Sequence, residues 1–331
     1  MFQVPDINTN KTARQLLHEF AESQKQVWPL VAANFKGLEK AKVKHFLFDG
    51  FQIKVQFNPE RLQSSISMVD KESIAARACF LCNENRPAEQ EAIEFDDQYL
   101  ILVNPYPIFQ DHFTITSRFH TEQRFLPNAG SLLRLAKSLE GFVVLYNGPE
   151  CGASAPDHLH FQAGEKELLP VDAEFERLSR HSGRMLFSGE NTEVWAFDNY
   201  LRKMISVRTF SLEEGLRAIT VFYNHFRAMQ PEKVEPMMNV LSTFSGGKWV
   251  IHLFPRRAHR PSQFFETGEK QILISPGSVD FGGLFITPRL EDFEKITRED
   301  VVNILEQVCV DQKTFSLLIE KIRIDLKNHL Y

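Results

Sequence analysis

Apolar residues recur along the chain at two spacings, and each spacing predicts a different element. Ala13, Leu16, Leu17 and Phe20 share one face of a 3.6-residue turn, so a helix is expected there, capped by Asn8-Thr9-Asn10. Over residues 45–57 the pattern alternates around Asp49-Gly50, which predicts two strands joined by a tight turn. Residues 99–103 and 112–119 read as further strands, divided by a turn at Pro105 and Pro107. Residues 132–139 return to helical spacing. Ser211-Leu212-Glu213-Glu214 is arranged as a capping box and opens a helix with Leu216, Ile219, Phe222 and Phe226 on its apolar face. Terminal helices begin near Thr297-Arg298-Glu299-Asp300 and run through Leu317, Leu318 and Ile322. The polar stretch from Gly164 to Glu174 is the one candidate linker. This mixed order predicts an α+β fold of antiparallel sheets with packed helices.

The segment that carries chemistry is His158-Leu159-His160-Phe161-Gln162. It follows Phe142-Val143-Val144-Leu145-Tyr146 and the small-residue run Gly152-Ala153-Ser154-Ala155-Pro156. In a strand, His158, His160 and Gln162 point one way, and Leu159 and Phe161 the other. Two imidazoles and a carboxamide, about 6–7 Å apart in an extended chain, suit phosphoryl or nucleotidyl transfer. One imidazole can attack phosphorus while the amide donates to the oxygens as charge builds. Glutamine does not titrate, so it cannot activate water, and a covalent intermediate would wait for an anionic acceptor. Gly152, Ala153 and Ser154 offer backbone N–H groups to a phosphate, although an ordinary turn has the same composition.

The two halves read as diverged copies. Phe95-Asp96-Asp97-Gln98-Tyr99 is similar to Phe197-Asp198-Asn199-Tyr200, and each precedes a strand, a helix and a second strand ending in asparagine, Asn147 or Asn239. Thirteen positions separate Asn147 from His160, and thirteen separate Asn239 from His252. Val250 stands where His158 stands in the first copy, so one half keeps the polar constellation and the other keeps one histidine. The expected division is a catalytic unit over 1–168 and a degenerate unit with the terminal helices over 169–331.

Composition narrows the function classes. A net charge of -5 and a pI near 6.1 argue against general nucleic-acid binding, which needs a basic footprint. No apolar run reaches the length of a membrane span, and the N-terminus shows no signal peptide, so a cytoplasmic protein is expected. The four cysteines, Cys79, Cys82, Cys151 and Cys309, are too few for a disulfide framework in so long a chain. Cys79 and Cys82 have the spacing of two thiolates sharing one Zn2+, or of a redox pair, or of two buried cysteines. His112, His120 and His158 are the histidines on offer to complete a metal site, with His120 favoured over His112 because a strand end meets loops. Lys248 and Arg256-Arg257-Ala258-His259-Arg260 flank the strand of His252, and Arg61 lies near Ser64 and Ser65. These are candidates to hold phosphate charge, or a solvated basic edge.

Asn104-Pro105-Tyr106-Pro107-Ile108 leading to His112 and His120, then Asn147 and the His158–Gln162 run, resembles the histidine-triad superfamily. Glutamine at the last position is the mark of its nucleotidyltransferase branches. Two copies, the second degenerate, are similar to the galactose-1-phosphate uridylyltransferase and diadenosine tetraphosphate phosphorylase branch. Asp157-His158-Leu159-His160-Phe161-Gln162 is worded most like the GDP-L-galactose phosphorylase type and its bacterial relatives. The resemblance implies His160 as a nucleophile that takes up a nucleoside monophosphate, with Gln162 holding the phosphoryl oxygens. It implies structural zinc on Cys79, Cys82, His120 and His158, and phosphate binding by Asn147, Gly152, Ala153 and Ser154. The partners it implies are a nucleotide substrate and phosphate or a sugar phosphate, with a homodimer as one option for assembly. The competing reading is a non-enzymatic, zinc-stabilised nucleotide-binding protein.

Overall fold

The first helix, Ala13–Val27, starts where side chains take over unpaired backbone donors. Gln15 N donates to Thr12 Oγ1 at 3.3 Å and Thr12 N to Gln15 Oε1 at 2.9 Å, a closed capping box. The cap expected at Asn8-Thr9-Asn10 lies outside the described residues, as do Ser64 and Ser65: a computed structural model describes residues 2–3, 11–62 and 71–330. The helix Leu212–Ala228 has half of its expected box. Glu214 N donates to Ser211 Oγ at 3.3 Å, while the Glu214 carboxylate accepts from Asn191 instead. Thr297 and Asp300 close the box of the helix Arg298–Val308 in both directions.

In the first half the strands are β1 (Phe2–Gln3), β2 (Lys42–Phe48), β3 (Phe51–Phe57), β4 (Ile93–Phe95), β5 (Tyr99–Val103), β6 (Phe113–Ser117), β7 (Phe142–Asn147) and β8 (His160–Glu165). In the second they are β9 (Arg184–Ser188), β10 (Thr192–Phe197), β11 (Met204–Thr209), β12 (Met238–Ser245), β13 (Lys248–Pro255) and β14 (Leu284–Thr287). Eleven of the described strands form one sheet in the order β1-β4-β5-β6-β8-β7-β12-β13-β11-β10-β9. All its pairings are antiparallel except β1 with β4. Outward from the central pair, β7-β8-β6-β5-β4 on one side repeats as β12-β13-β11-β10-β9 on the other. The fold is thus two copies of one five-stranded unit joined edge to edge. A smaller sheet, β14-β3-β2, includes the expected hairpin, with Gly50 at φ 77° in its turn; β14 crosses from the second half to pair in parallel with β3.

The repeat exists, but its expected anchors occupy different places in the two units. Phe95–Tyr99 forms the β4–β5 hairpin, where Asp96 and Asp97 adopt φ of 51° and 53°. The corresponding turn of the second unit is β9–β10, closed by Gly189 N to Thr192 O at 2.9 Å, whereas Phe197–Tyr200 runs from the last residue of β10 into the turn toward β11. Asn147 ends β7, whereas Asn239 lies near the start of β12, and the two pair directly across the seam. Similar Asp/Asn-rich words recur because turns favour those residues wherever they occur. The Gly164–Glu174 stretch is not a linker either. It holds the end of β8, a turn of 3-10 helix and the start of the helix Pro170–His181. Its buried Glu174 accepts from Gln52 N and Tyr200 Oη, both at 2.7 Å, so its polarity is satisfied internally.

Alternation along the strands divides the core. Phe113, Ile115, Val144, Tyr146, Phe161 and Ile251 face the helices Ala13–Val27, Ala129–Ser138, Leu212–Ala228 and Gln312–His329. Val143, Leu145, Leu241 and Phe254 face the small sheet and the helices Pro170–His181 and Arg298–Val308. His160, Gln162, Asn147 and His252 alternate onto this second face. No helix among the described residues is long and apolar enough to cross a membrane.

Candidate active site

β8 starts at His160, two residues later than a strand over 158–162 would, because a side chain replaces the ladder there. His160 N donates to Gln123 Oε1 at 2.8 Å, and Gln123 Nε2 donates to His160 O and Asn147 O, both at 2.9 Å. Leu159 and Phe161 enter the helix-side core as the alternation requires. His160 Nδ1 lies 2.8 Å from the His158 carbonyl, which only accepts, so Nδ1 carries the proton and Nε2 keeps its lone pair. That Nε2 is buried with no hydrogen-bond partner, and His160 lines a cavity. Burial lowers the imidazole to about 4 and outweighs the upward pull of the His158 carbonyl, so the ring is neutral near pH 7. Gln162 lines the same cavity, with its Oε1 3.2 Å from His112 Nε2.

The cavity has a volume of about 570 Å³, within the range of small-molecule sites. Trp28, Phe80, Leu81, Leu102 and Ile108 make an apolar wall. Arg61, Asn147, Ser154, Ser275, Ser278 and Asp280 make a polar one. Asn147 Oδ1 accepts from Asn239 Nδ2 at 2.8 Å, Ser278 N at 2.7 Å and Ser278 Oγ at 2.8 Å, which leaves Nδ2 as the end of the amide with donors to spare. Gly152 adopts φ 96°, and a Cβ there would stand 3.0 Å from Gly277 Cα. Only glycine lets the 152–154 loop approach the 275–278 loop so closely. Ala153 and Ser154 line the cavity beside it. Arg61 Nη1 donates to Tyr106 O at 2.7 Å; burial lowers its pKa to about 10, opposed by the charge of Asp280. Asp280 is raised by burial to about 6, although the N–H groups of Gly277 and Ile286 donate to it.

Behind this site, Cys79, Cys82, His120 and His158 converge, with one ligand atom from each lying within 4.8 Å of all the others. Cys79 Sγ is 3.3 Å from His158 Nδ1, and Cys82 Sγ is 3.2 Å from His120 Nδ1 and 3.5 Å from His158 Nδ1. Tetrahedral zinc with these donors would set neighbouring ligand atoms about 3.3–3.8 Å apart, so the cluster fits a metal of that kind. His158 Nε2 donates to Ser117 O at 2.9 Å, which fixes the tautomer with Nδ1 facing the sulfurs. Burial raises the Cys79 thiol, but its bonds with His158 and the Leu81 N–H outweigh this and bring it to about 6. Burial and then the neighbouring Cys79 sulfur push Cys82 up to about 11. Two adjacent thiolates repel, and a dication between them removes that repulsion.

Residues 20–165 match a family described as a domain of unknown function (DUF4922), and residues 185–329 match the GDPGP1-like C-terminal domain. In fold, the chain is similar to yeast Ap4A phosphorylase Apa2, with a TM-score of 0.54 and 18% identity over 86% of this chain and 97% of that one. The likeness to the yeast phosphorylase is one of fold. The yeast enzyme in complex with Ap4A is similar to this chain to the same degree, at TM-score 0.54 and 18% identity over 87% and 97% of the two chains. No curated protein sequence matches it significantly.

Of the site residues expected from the sequence, His160, Gln162, Asn147, Gly152, Ala153, Ser154 and Arg61 meet at the cavity. Lys248 and Arg256 do not line it. Lys248 begins β13 and ion-pairs with Glu176 at 3.6 Å. Arg256 is buried, and its guanidinium donates to Asn239 Oδ1, Pro276 O, Ala258 O and His259 O at 2.6–2.9 Å. It braces the loop that brings His259, Arg260 and Ser275 to the cavity, so its basic group serves carbonyls rather than a ligand. Sequence reasoning missed Gln123, Ser278 and Asp280 and weighed His112 only as a metal ligand. The breaker cluster Ser275-Pro276-Gly277-Ser278 was the one signal for the second loop.

Proposed function

We propose that the chain is a nucleotidyltransferase or phosphorylase that forms a covalent nucleotidyl intermediate on His160. The observation that carries this reading is the buried, unpartnered His160 Nε2 at the cavity, with its other nitrogen held by the His158 carbonyl. The donor is a nucleoside diphosphate sugar or a dinucleoside polyphosphate, the kind of ligand named for the yeast Ap4A phosphorylase of similar fold. The Nε2 lone pair attacks the α-phosphorus, and the P–O bond to the departing phosphate breaks with its electron pair on that oxygen. Nδ1 keeps its proton and shares it with the His158 carbonyl as positive charge develops on the ring. Gln162 donates to a non-bridging oxygen, and the Asn147 amide with the 152–154 loop holds the phosphates. Phosphate or a sugar 1-phosphate then attacks the phosphoramidate, the N–P bond breaks, and His160 regains its lone pair.

Cys79, Cys82, His120 and His158 would hold zinc with all four positions filled by protein, so the metal supplies rigidity rather than Lewis acidity. His158 then anchors the strand that carries His160 two residues away. The test is incubation of the protein with α-labelled GDP-hexose, UDP-hexose, Ap4A and ATP. We expect acid-labile, base-stable label on the unsubstituted chain with at least one donor. We expect none on His160→Ala, with nucleotide affinity within about tenfold, or ~1.4 kcal/mol. Turnover by His160→Ala would overturn the covalent route, and absence of label from every donor would favour a binding protein.

A further inference from the structure

An amide has two ends that differ in chemistry but hardly in shape, so a glutamine that must donate to a phosphoryl oxygen needs something to hold the correct end forward. Gln162 has such a neighbour. His112 lies just before β6, fully buried, with its ring 5.3 Å from Phe109 in an edge-on contact. The Ile108 N–H points at His112 Nδ1 at 3.1 Å, and a backbone N–H only donates. Nδ1 is therefore the acceptor and Nε2 carries the proton. That proton faces Gln162 Oε1 at 3.2 Å.

We infer that His112 is a positioning residue that orients the Gln162 carboxamide so that its NH2 faces the phosphoryl group at His160. If the amide turned over, its NH2 would oppose the His112 N–H, and its carbonyl oxygen would face the anionic phosphoryl oxygens. Both changes are unfavourable, so the relay Ile108 N–H, His112, Gln162 selects one orientation before substrate binds. Burial, and next the charge of Arg61, hold His112 down to about 3, so it remains a neutral, one-donor ring across the working range. The Asn104 N–H donates to His112 O at 2.9 Å, which fixes the backbone beneath the ring.

The inference rests on the role given to Gln162, and the experiment separates the two. Single-turnover label transfer to His160 is measured with whichever α-labelled donor labels the unsubstituted chain. The variants are Gln162→Ala, His112→Asn, His112→Gln and His112→Asn combined with Gln162→Ala. Asparagine can still accept from Ile108 N through Oδ1 but is too short to reach Gln162, whereas glutamine places an N–H near the Nε2 position. Gln162→Ala should slow transfer by roughly 10²–10³. His112→Asn should slow it by about 10- to 100-fold with nucleoside monophosphate affinity within about threefold, and His112→Gln should restore most of the rate. In the Gln162→Ala background, His112→Asn should cost nothing further, because the group it orients is gone. Losses that multiply in the double variant, or His112→Gln as slow as His112→Asn, overturn the role of His112 alone. An unchanged rate in Gln162→Ala overturns the role of Gln162 and this inference with it. Thermal unfolding of each variant distinguishes a lost relay from a lost fold.

Discussion

His160 and His252 share a strand type, a sheet face and a neutral ring, yet their neighbours make them different residues. Each has one bonded and one unpartnered ring nitrogen, but His160 lines the cavity and His252 does not. His252 Nδ1 lies 2.8 Å from Ser206 Oγ, and Phe175 stands edge-on at 5.1 Å, where the helix Pro170–His181 fills the space that the first unit leaves open. Burial, then the charge of Arg202, lowers His252 to about 3. Unfolded, it takes up a proton below about pH 6.5; folded, it does so only near 3. The unfolded state therefore binds more protons in that window, and the His252 contribution to stability falls as pH drops. Asp172 and Asp280, raised by burial to about 7 and about 6, tilt the whole molecule the opposite way, so the informative quantity is a difference. Between pH 7 and pH 5 the unsubstituted chain should lose about 2 kcal/mol relative to His252→Gln. Urea unfolding at the two pH values measures this, and parallel profiles would show that His252 titrates normally.

At the scale of elements, the Cys79–Cys82 turn has little to fasten it except its ligands. Cys82 N donates to Cys79 O at 3.2 Å, and the small cluster of Cys79, Leu81 and Ala155 is separate from both main cores. Phe80 and Leu81, which line the cavity, sit between the two cysteines. A metal bound here would accordingly supply folding energy to one wall of the site. Cys82→Ser should lower zinc well below one per chain and reduce Tm by roughly 5 °C or more. His160→Ala should leave zinc unchanged, since its side chain is outside the ligand set. Elemental analysis of protein purified without chelator checks both; equal zinc in Cys82→Ser and the unsubstituted chain would exclude this ligand set. The Cys79–Cys82 spacing was legible as one option for a metal site, whereas the full set with His120 and His158 came from the resemblance to a known family. The late start of β8 was not legible, because it depends on Gln123, a loop residue distant in sequence from the ladder it completes.

At the scale of the whole molecule, the seam between the units is also the floor of the site. Asn239, fully buried, donates to Asn147 Oδ1 and to Cys151 O, both at 2.8 Å, and accepts from Arg256 Nη1 at 2.9 Å. One side chain thus joins the strand that precedes the 152–154 loop, the start of that loop and the arginine that braces the opposite wall. Asn239→Ala should cost about 2–5 kcal/mol, because buried partners are left unpaired, and should weaken binding of the same α-labelled donor by loosening Asn147. Denaturant unfolding and equilibrium binding read the two effects. A stable variant with unchanged affinity would mean that the seam and the site are independent.

The alternation of residues 158–162, the Cys79–Cys82 spacing, the hairpin at Asp49-Gly50 and the helix start at Thr297 were determined by sequence alone, because each is a local rule of two to four residues. The doubled architecture was legible as well, since connectivity repeats even where words do not. Tertiary structure alone decided what lies opposite what. Asn147 and Asn239, read along the chain as equivalent copies, are direct partners across a sheet, because strand order and register depend on contacts between distant segments. Arg256 and Arg61 look alike in sequence, yet one is consumed by carbonyls and the other reaches the cavity. A side chain's chemistry is written in its residue type, but its task is set by which polar groups remain unpaired around it after packing.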